Sequence, residues 1–201
     1  MAETPVTVGA VQLCATPDVD ANLASAERLT REARDRGAAV VLLPEAFAFL
    51  GPERQKADLL EPLPDPAAPD APFRSGPILD RCQQLARETG VHLILGGFHE
   101  QSPEPGKSYN TCVHLDPRGD VVARYRKIHL FDVSLADGTV LRESARTLPG
   151  DRAVISDTPF GPLGLTVCYD LRFPYLYQRL ADMGAIAATV PSAFTRPTGA
   201  A

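Results

Sequence analysis

The chain has 201 residues, 44% of them hydrophobic and 22% charged, with a net charge of -5 at pH 7. That length fits one domain, which buries about 70% of its unfolded surface and needs no disulfide staple. The acidic balance argues against a nucleic-acid or anionic-membrane surface; no basic cluster is denser than Arg124, Arg126 and Lys127.

No run of about 18 apolar residues is available to span a membrane. The start, Met1-Ala2-Glu3-Thr4-Pro5, lacks the basic and apolar regions of a secretory signal. The cysteines, Cys14, Cys82, Cys112 and Cys168, form no CxxC pair, so neither a zinc site nor a thioredoxin motif is written here. They read as reduced thiols of a cytoplasmic protein. Cys14, Cys82 and Cys112 read as small buried hydrophobes.

In chain order, Val6 to Leu13 is β-rich, and Asp20 to Arg36 has the periodicity of an amphipathic helix ended by Gly37. Val40 to Leu43 is a continuous apolar run, as in a strand buried on both faces. Gly51 to Pro77 carries seven prolines and reads as loop, with one short helix near Arg54 to Leu60. Ile78 to Thr89 predicts a helix closed by Gly90, and Val91 to Leu95 a buried strand ending at Gly96-Gly97. Asn110 to Leu115 and Val121 to Tyr125 predict a hairpin around Asp116-Pro117-Arg118-Gly119-Asp120. A second hairpin joins Ala153 to Ser156 with Leu163 to Val167. Pro174 to Met183 predicts a helix and Ala185 to Val190 a last strand. Strands alternating with helices give a layered α/β class, and the hairpins make the sheet mixed. Residues 1–201 read as a single domain.

Three strings place one reactive side chain each just past an apolar run: Leu43-Pro44-Glu45-Ala46-Phe47, Tyr125-Arg126-Lys127-Ile128-His129-Leu130-Phe131-Asp132 and Val167-Cys168-Tyr169-Asp170-Leu171-Arg172-Phe173-Pro174. A thiol attacks well only as thiolate, so it needs a base and a positive neighbour. Cys168 ends a strand-like run before a turn and helix, which would expose its thiol at the sheet edge and leave the Tyr169 amide free for a developing oxyanion. By position alone it also reads as one more buried thiol. Glu45, behind four apolar residues, is expected to be partly desolvated, which suits a general base; a solvated loop glutamate is the plainer reading. If Val121, Ala123 and Tyr125 share one side of their strand, Lys127 shares it too, and Arg124 and Arg126 take the other.

The three strings in this order resemble the nitrilase superfamily of carbon–nitrogen hydrolases, from about Val6 to Gly199. The resemblance implies an α-β-β-α sandwich with two mixed sheets face to face, incomplete at the C-terminus because family members continue beyond the segment matching Ser192 to Gly199. It implies Glu45 as base, Cys168 as nucleophile, and Lys127 as the cation that keeps Cys168 as thiolate and binds the oxyanion. Glu143 would hold the lysine and help orient substrate. Tyr169, Arg172, Ser192 and Phe194 would support the site or bind substrate, with no metal and no cofactor. Asp170 and Arg172 are expected to form an ion pair shaping the turn, with Arg172 alternatively meeting a substrate carboxylate. His92 and His114 read as satisfied strand residues, and His129 as a candidate pocket wall. Gly96-Gly97 is no phosphate loop, since no GxxxxGK[ST] follows.

Leu130-Phe131-Asp132-Val133, Arg142-Glu143-Ser144 and Pro191-Ser192-Ala193-Phe194-Thr195 look most like the branch that hydrolyses 2-oxoacid amides such as deaminated glutathione. The implied partner is a small-molecule amide, with no nucleic acid and no membrane, in a protein that is a homodimer at full length. An omega-amidase acting on 2-oxo-dicarboxylate monoamides is the alternative, as is a non-catalytic binding relative.

Overall fold

A computed structural model describes residues 5–68, 71–134, 138 and 140–194. Strand β1 (Thr7–Ala10) leads to helix α1 (Val19–Asp35), strand β2 (Ala38–Leu42) and the short helix α2 (Glu53–Lys56). Helix α3 (Pro77–Thr89), β3 (His92–Gln101), β4 (Ser108–Leu115) and β5 (Val121–Arg126) follow. Then come β6 (Asp132–Ser134), β7 (Val140–Arg142), β8 (Val154–Thr158), β9 (Gly161–Leu165), α4 (Pro174–Asp182) and β10 (Ala187–Ala188).

Local chemistry sets the helix ends. The Asp18 side chain accepts from Ala21 N–H at 3.0 Å, capping α1. Pro77 stands in the first turn of α3, where its missing N–H costs nothing, and Gly90 takes φ 68 at the other end. The cap of α3 comes from the proline-rich loop: Glu61 accepts from Ile78 N–H at 2.7 Å and Leu79 N–H at 2.9 Å.

Strands β1 to β5 form one sheet in sequence order, parallel from β1 to β3 and antiparallel from β3 to β5. Strands β10, β9 and β8 form a second sheet, and β6 pairs with β7 in a separate ribbon. Alternation along the first sheet builds two cores. Val41, Leu93, Leu95, Val113 and Leu115 pack with Leu79, Leu85 and Ala86 of α3 and Leu23 and Ala26 of α1. Val40, Ile94, Cys112, Ala123 and Tyr125 point the other way and meet Leu163 and Leu165 of the second sheet, Val167 just beyond it, and Leu176 and Leu180 of α4. The layers are therefore helices, sheet, sheet, helix, the mixed α-β-β-α sandwich that the resemblance implied.

Polar bonds also cross between the sheets. His92 Nδ1 lies 2.9 Å from His114 Nε2, and His114 Nδ1 lies 2.6 Å from Ser156 Oγ on β8. Both histidines are thus satisfied strand residues.

The structure departs from the sequence expectation at several places; β1 is shorter than Val6 to Leu13, and β9 begins at Gly161 and ends before Val167. Strand β3 does not stop at Gly96-Gly97 but runs on to Gln101, because a bulge there, with Gly97 at φ 132, absorbs the irregularity. The last strand is only Ala187–Ala188, since side-chain bonds between Thr166 and Thr189 replace the ladder beyond it. The β6–β7 ribbon was not anticipated; strands of three residues are too short to show a period. Cys14 is exposed rather than buried, lying past the end of β1, whereas Cys82 and Cys112 are buried. The expected segment Thr195 to Gly199 and the position of Pro69 lie outside the described residues.

Candidate active site

The thiol sits on a strained turn. After β9, residues Thr166 and Val167 enter a 3-10 turn over Cys168–Arg172, and Cys168 takes φ 48. The left-handed region costs an L-residue roughly 1–2 kcal/mol, so the surroundings must enforce it. They do so through Cys168 N–H to Pro191 O at 3.0 Å, and through Asp170, whose Oδ2 accepts from Val167 N–H at 3.0 Å. Fully buried, Asp170 also accepts from Tyr125 Oη–H at 2.8 Å and from His129 N–H at 3.1 Å, and its Oδ1 lies 2.8 Å from His129 Nδ1. One carboxylate thereby ties the thiol turn to the end of β5. The Tyr169 N–H, in the first turn of this helical segment, meets no acceptor among the described residues.

Glu45 emerges where β2 ends. Its loop fits against β3 only because Gly96 and Gly97 lack side chains: a Cβ on Gly96 would lie 2.1 Å from Leu43 O, and one on Gly97 3.0 Å from Glu45 Cα. The Glu45 Oε1 accepts from Asn110 Nδ2 at 2.9 Å and lies 3.4 Å from Lys127 Nζ. Its Oε2 accepts from Ala193 N–H at 2.8 Å. The side chain is 10% exposed, desolvated as expected.

Lys127 follows β5, and its N–H donates to Asn110 O at 2.8 Å. Alternation holds from Ala123 onward: Ala123, Tyr125 and Lys127 are buried on one side, while Arg124 and Arg126 bond to Glu100 on the opposite face; Val121, expected on the side of Ala123, packs in the other core because a bulge intervenes. The Lys127 ammonium, 2% exposed, donates to Glu143 Oε2 at 2.8 Å. Burial works against its charge, yet Glu45 and Glu143 outweigh the burial and hold the ammonium above the ordinary lysine range. The ribbon delivers Glu143 directly after β7, where it also accepts from Phe131 N–H at 2.7 Å.

The thiol itself departs from the expectation of a resting thiolate. Burial pushes it up to about 11, and the Glu45 carboxylate adds to that, against the pull of Lys127 and Ser192. At neutral pH Cys168 rests as a thiol with a carboxylate beside it. The expected Asp170–Arg172 ion pair is also absent. Asp170 spends its acceptors on Tyr125, Val167 and His129, and Arg172 is exposed with no ion pair among the described residues.

Of the remaining candidates, Tyr169 stands edge-on to Phe131 at 4.9 Å and to Phe173 at 5.4 Å. His129 stacks on Phe173 at 3.7 Å. Ser192 faces the thiol and bonds Val190 O at 3.2 Å. Phe194 is 67% exposed and packs less closely than its neighbours. A cavity of about 380 Å³ lies elsewhere, between α1, α3 and the proline-rich loop, and has no cysteine or histidine in its lining. No group of three histidine, cysteine or carboxylate side chains able to hold a metal ion occurs among the described residues.

Sequence reasoning missed Asn110, which donates to Glu45 and also, at 3.3 Å, to Glu143 Oε1. Counting back from the hairpin turn would set Asn110 opposite Arg126; the bulge between His114 and Leu115 shifts the register by one and brings it beside Lys127.

Residues 7–197 match the family model described as carbon-nitrogen hydrolase. The chain belongs to the carbon-nitrogen hydrolase family. This family member is 42% identical over 200 residues to the deaminated glutathione amidase of Bos taurus, covering 96% of this chain and 57% of that one. To the deaminated glutathione amidase of Synechocystis sp. (strain PCC 6803 / GT-S) it is 40% identical over 198 residues, covering 97% of this chain and 69% of that one. It thus spans little more than half of the bovine relative. Among solved structures, the C. elegans NitFhit protein superimposes with TM-score 0.81 at 32% identity, covering 96% of this chain and 45% of that chain. Saccharomyces cerevisiae Nit3, a member of branch 10 of the nitrilase superfamily, gives 0.80 at 30% identity, covering 97% and 67%. A mutant amidase from Nesterenkonia sp. AN1, carrying acrylamide added at its active-site cysteine, gives 0.72 at 26% identity, covering 93% and 66%.

Proposed function

We propose that this chain is a thiol-dependent amidohydrolase that cleaves the C–N bond of a small carboxamide through a Cys168 thioester. The observation that carries this reading is the convergence of Glu45 and Lys127, the lysine held by Glu143, on one thiol at a left-handed turn. As Sγ bonds to the amide carbon, its proton passes to Glu45, which suits a thiol held neutral beside a carboxylate. The carbonyl oxygen becomes an oxyanion facing the Lys127 ammonium and the Tyr169 N–H. Collapse breaks the C–N bond, and the proton on Glu45 goes to the leaving amine. Water then attacks the thioester, Glu45 takes a water proton, and the carboxylic acid leaves as the thiol is restored. Glu143 holds Lys127 in place, and Ser192 faces the thiol.

The identity to deaminated glutathione amidases supports a 2-oxoacid amide such as deaminated glutathione as substrate, with Arg172, exposed beside the turn, available to a substrate carboxylate. Both sheets contribute to the one site, which supports a single domain over residues 1–201. A nucleophile that must stay reduced supports the cytoplasm as its compartment. The exposed Leu171, Tyr175 and Ile186 support a homodimer. Release of ammonia or amine from a panel of 2-oxoacid amides, glutamine and aliphatic nitriles tests the reading. Turnover of the 2-oxoacid amides, with a thioester mass on Cys168, is the expected result. Turnover that persists without the thiol would overturn it.

A further inference from the structure

The Asn110 carboxamide is a neutral side chain wedged between charged groups of the site. Its Nδ2 lies 2.9 Å from Glu45 Oε1 and 3.3 Å from Glu143 Oε1. Carboxylate oxygens only accept, so the amino end must face them. The other end, Oδ1, is buried with no hydrogen-bond partner. An orphaned buried carbonyl is costly, and natural proteins leave few of them. Here the orphan is the consequence of aiming both N–H groups at two carboxylates. The Asn110 backbone carbonyl also accepts from Lys127 N–H at 2.8 Å, so this residue touches all three charged partners.

The charges explain the need. Two carboxylates share one ammonium, so they repel each other unless a donor lies between them. The groups facing Asn110 are Glu45 after β2, Lys127 after β5 and Glu143 after β7, with the Cys168 thiol beyond Glu45. Its cross-strand partner on β3, His99, bonds Phe49 O at 3.1 Å; burial keeps it neutral, pushed down to about 4.

We propose that Asn110 is a positioning residue whose two amide N–H groups bridge Glu45 and Glu143 around a single lysine and hold Glu45 ready to take the Cys168 proton. The proposal rests on the amidase reading above. Asn110→Ala is expected to lower kcat on the best amide of the panel by about 10²-fold, as misplacement of a catalytic group does, with KM within about threefold of wild type. Asn110→Asp is expected to move the acid limb of kcat/KM up by about one pH unit, because a third carboxylate opposes ionisation of Glu45.

A second readout needs no turnover. A carboxylate with raised affinity for protons in the folded state binds more protons than when unfolded, so its stability contribution falls as pH rises. The melting temperature of Asn110→Asp should therefore fall further below wild type at pH 8 than at pH 5. Circular dichroism checks that both variants fold. An unchanged acid limb together with a pH-independent gap in melting temperature would overturn the proposal. A wild-type chain without turnover would count against the amidase reading, while the melting comparison would still decide the role of Asn110.

Discussion

Arg126 and Lys127 are consecutive residues that leave the end of β5 on opposite faces, and the ion clusters they join differ in kind. On the outer face, Arg126 grips Glu100 with two bonds, of 2.9 Å from Nε and 2.5 Å from Nη2. Thr111 Oγ1 donates to the same carboxylate at 2.6 Å, and Arg126 stacks over Tyr109 at 3.9 Å. Glu100 there has a planar partner and full hydrogen bonding, the arrangement that makes a buried ion pair tolerable. On the inner face one ammonium serves two carboxylates, a neighbouring amide has an orphaned oxygen, and a strained thiol stands alongside. The first cluster is closed and structural. The second is left open in charge and geometry, which is what chemistry on a substrate requires.

The largest expected effect is at the thiol. Cys168→Ala should abolish amide turnover with the fold intact, while Cys14→Ala, Cys82→Ala and Cys112→Ala each keep most of it. Wild-type turnover in Cys168→Ala would remove the inner cluster's claim to chemistry. Next come its charged members. Glu45→Gln should cost roughly 10²–10⁴ in rate through lost proton transfer, and Lys127→Ala roughly 10²–10³ through lost oxyanion stabilisation. Steady-state losses under about threefold for either would contradict the roles.

The outer cluster should respond in the opposite way. Arg126→Ala leaves the buried Glu100 carboxylate with only the longer Arg124 contact and Thr111; with the arginine partly exposed, a loss of about 1–3 kcal/mol in unfolding free energy is expected. Turnover of the folded fraction should stay near wild type, and denaturant melts paired with kinetics decide it. A variant of full stability and lost turnover would reverse the comparison.

A subtler test concerns the protonation of the thiol. Burial and then Glu45 push Cys168 up to about 11, so its alkylation by iodoacetamide should still be climbing between pH 9 and 10. A plateau near neutral pH would reinstate a resting thiolate. The smallest effect belongs to the bridge between the sheets. Burial, then the neighbouring His92, push His114 down to about 4. The unfolded chain binds that proton near the ordinary histidine value of about 6.5. The folded state thus holds fewer protons in between, and stability is lost as pH falls from about 6.5 toward 4. His114→Gln should flatten this part of the melting profile; an unchanged slope would assign it to other groups.

Much of this molecule was legible in the sequence because its signals are local. Helix α1 followed from periodicity and Gly37, the end of α3 from Gly90, and the hairpin of β4 and β5 from its turn. Alternation alone put Lys127 inside and Arg126 outside. The reactive strings marked Glu45, Lys127 and Cys168 because each side chain stands where an apolar run ends. The tertiary structure decided everything that depends on distant residues meeting. Asn110 became part of the site only when β4 paired with β5 and both faced the loop after β2. Gly96 and Gly97, unremarkable in sequence, became the clearance for Glu45. Asp170 was drawn to Tyr125 and His129 rather than to nearby Arg172. The protonation of Cys168 was settled by burial between two sheets, because desolvation and the balance of Glu45 against Lys127 are properties of the packed interior and not of any stretch of chain.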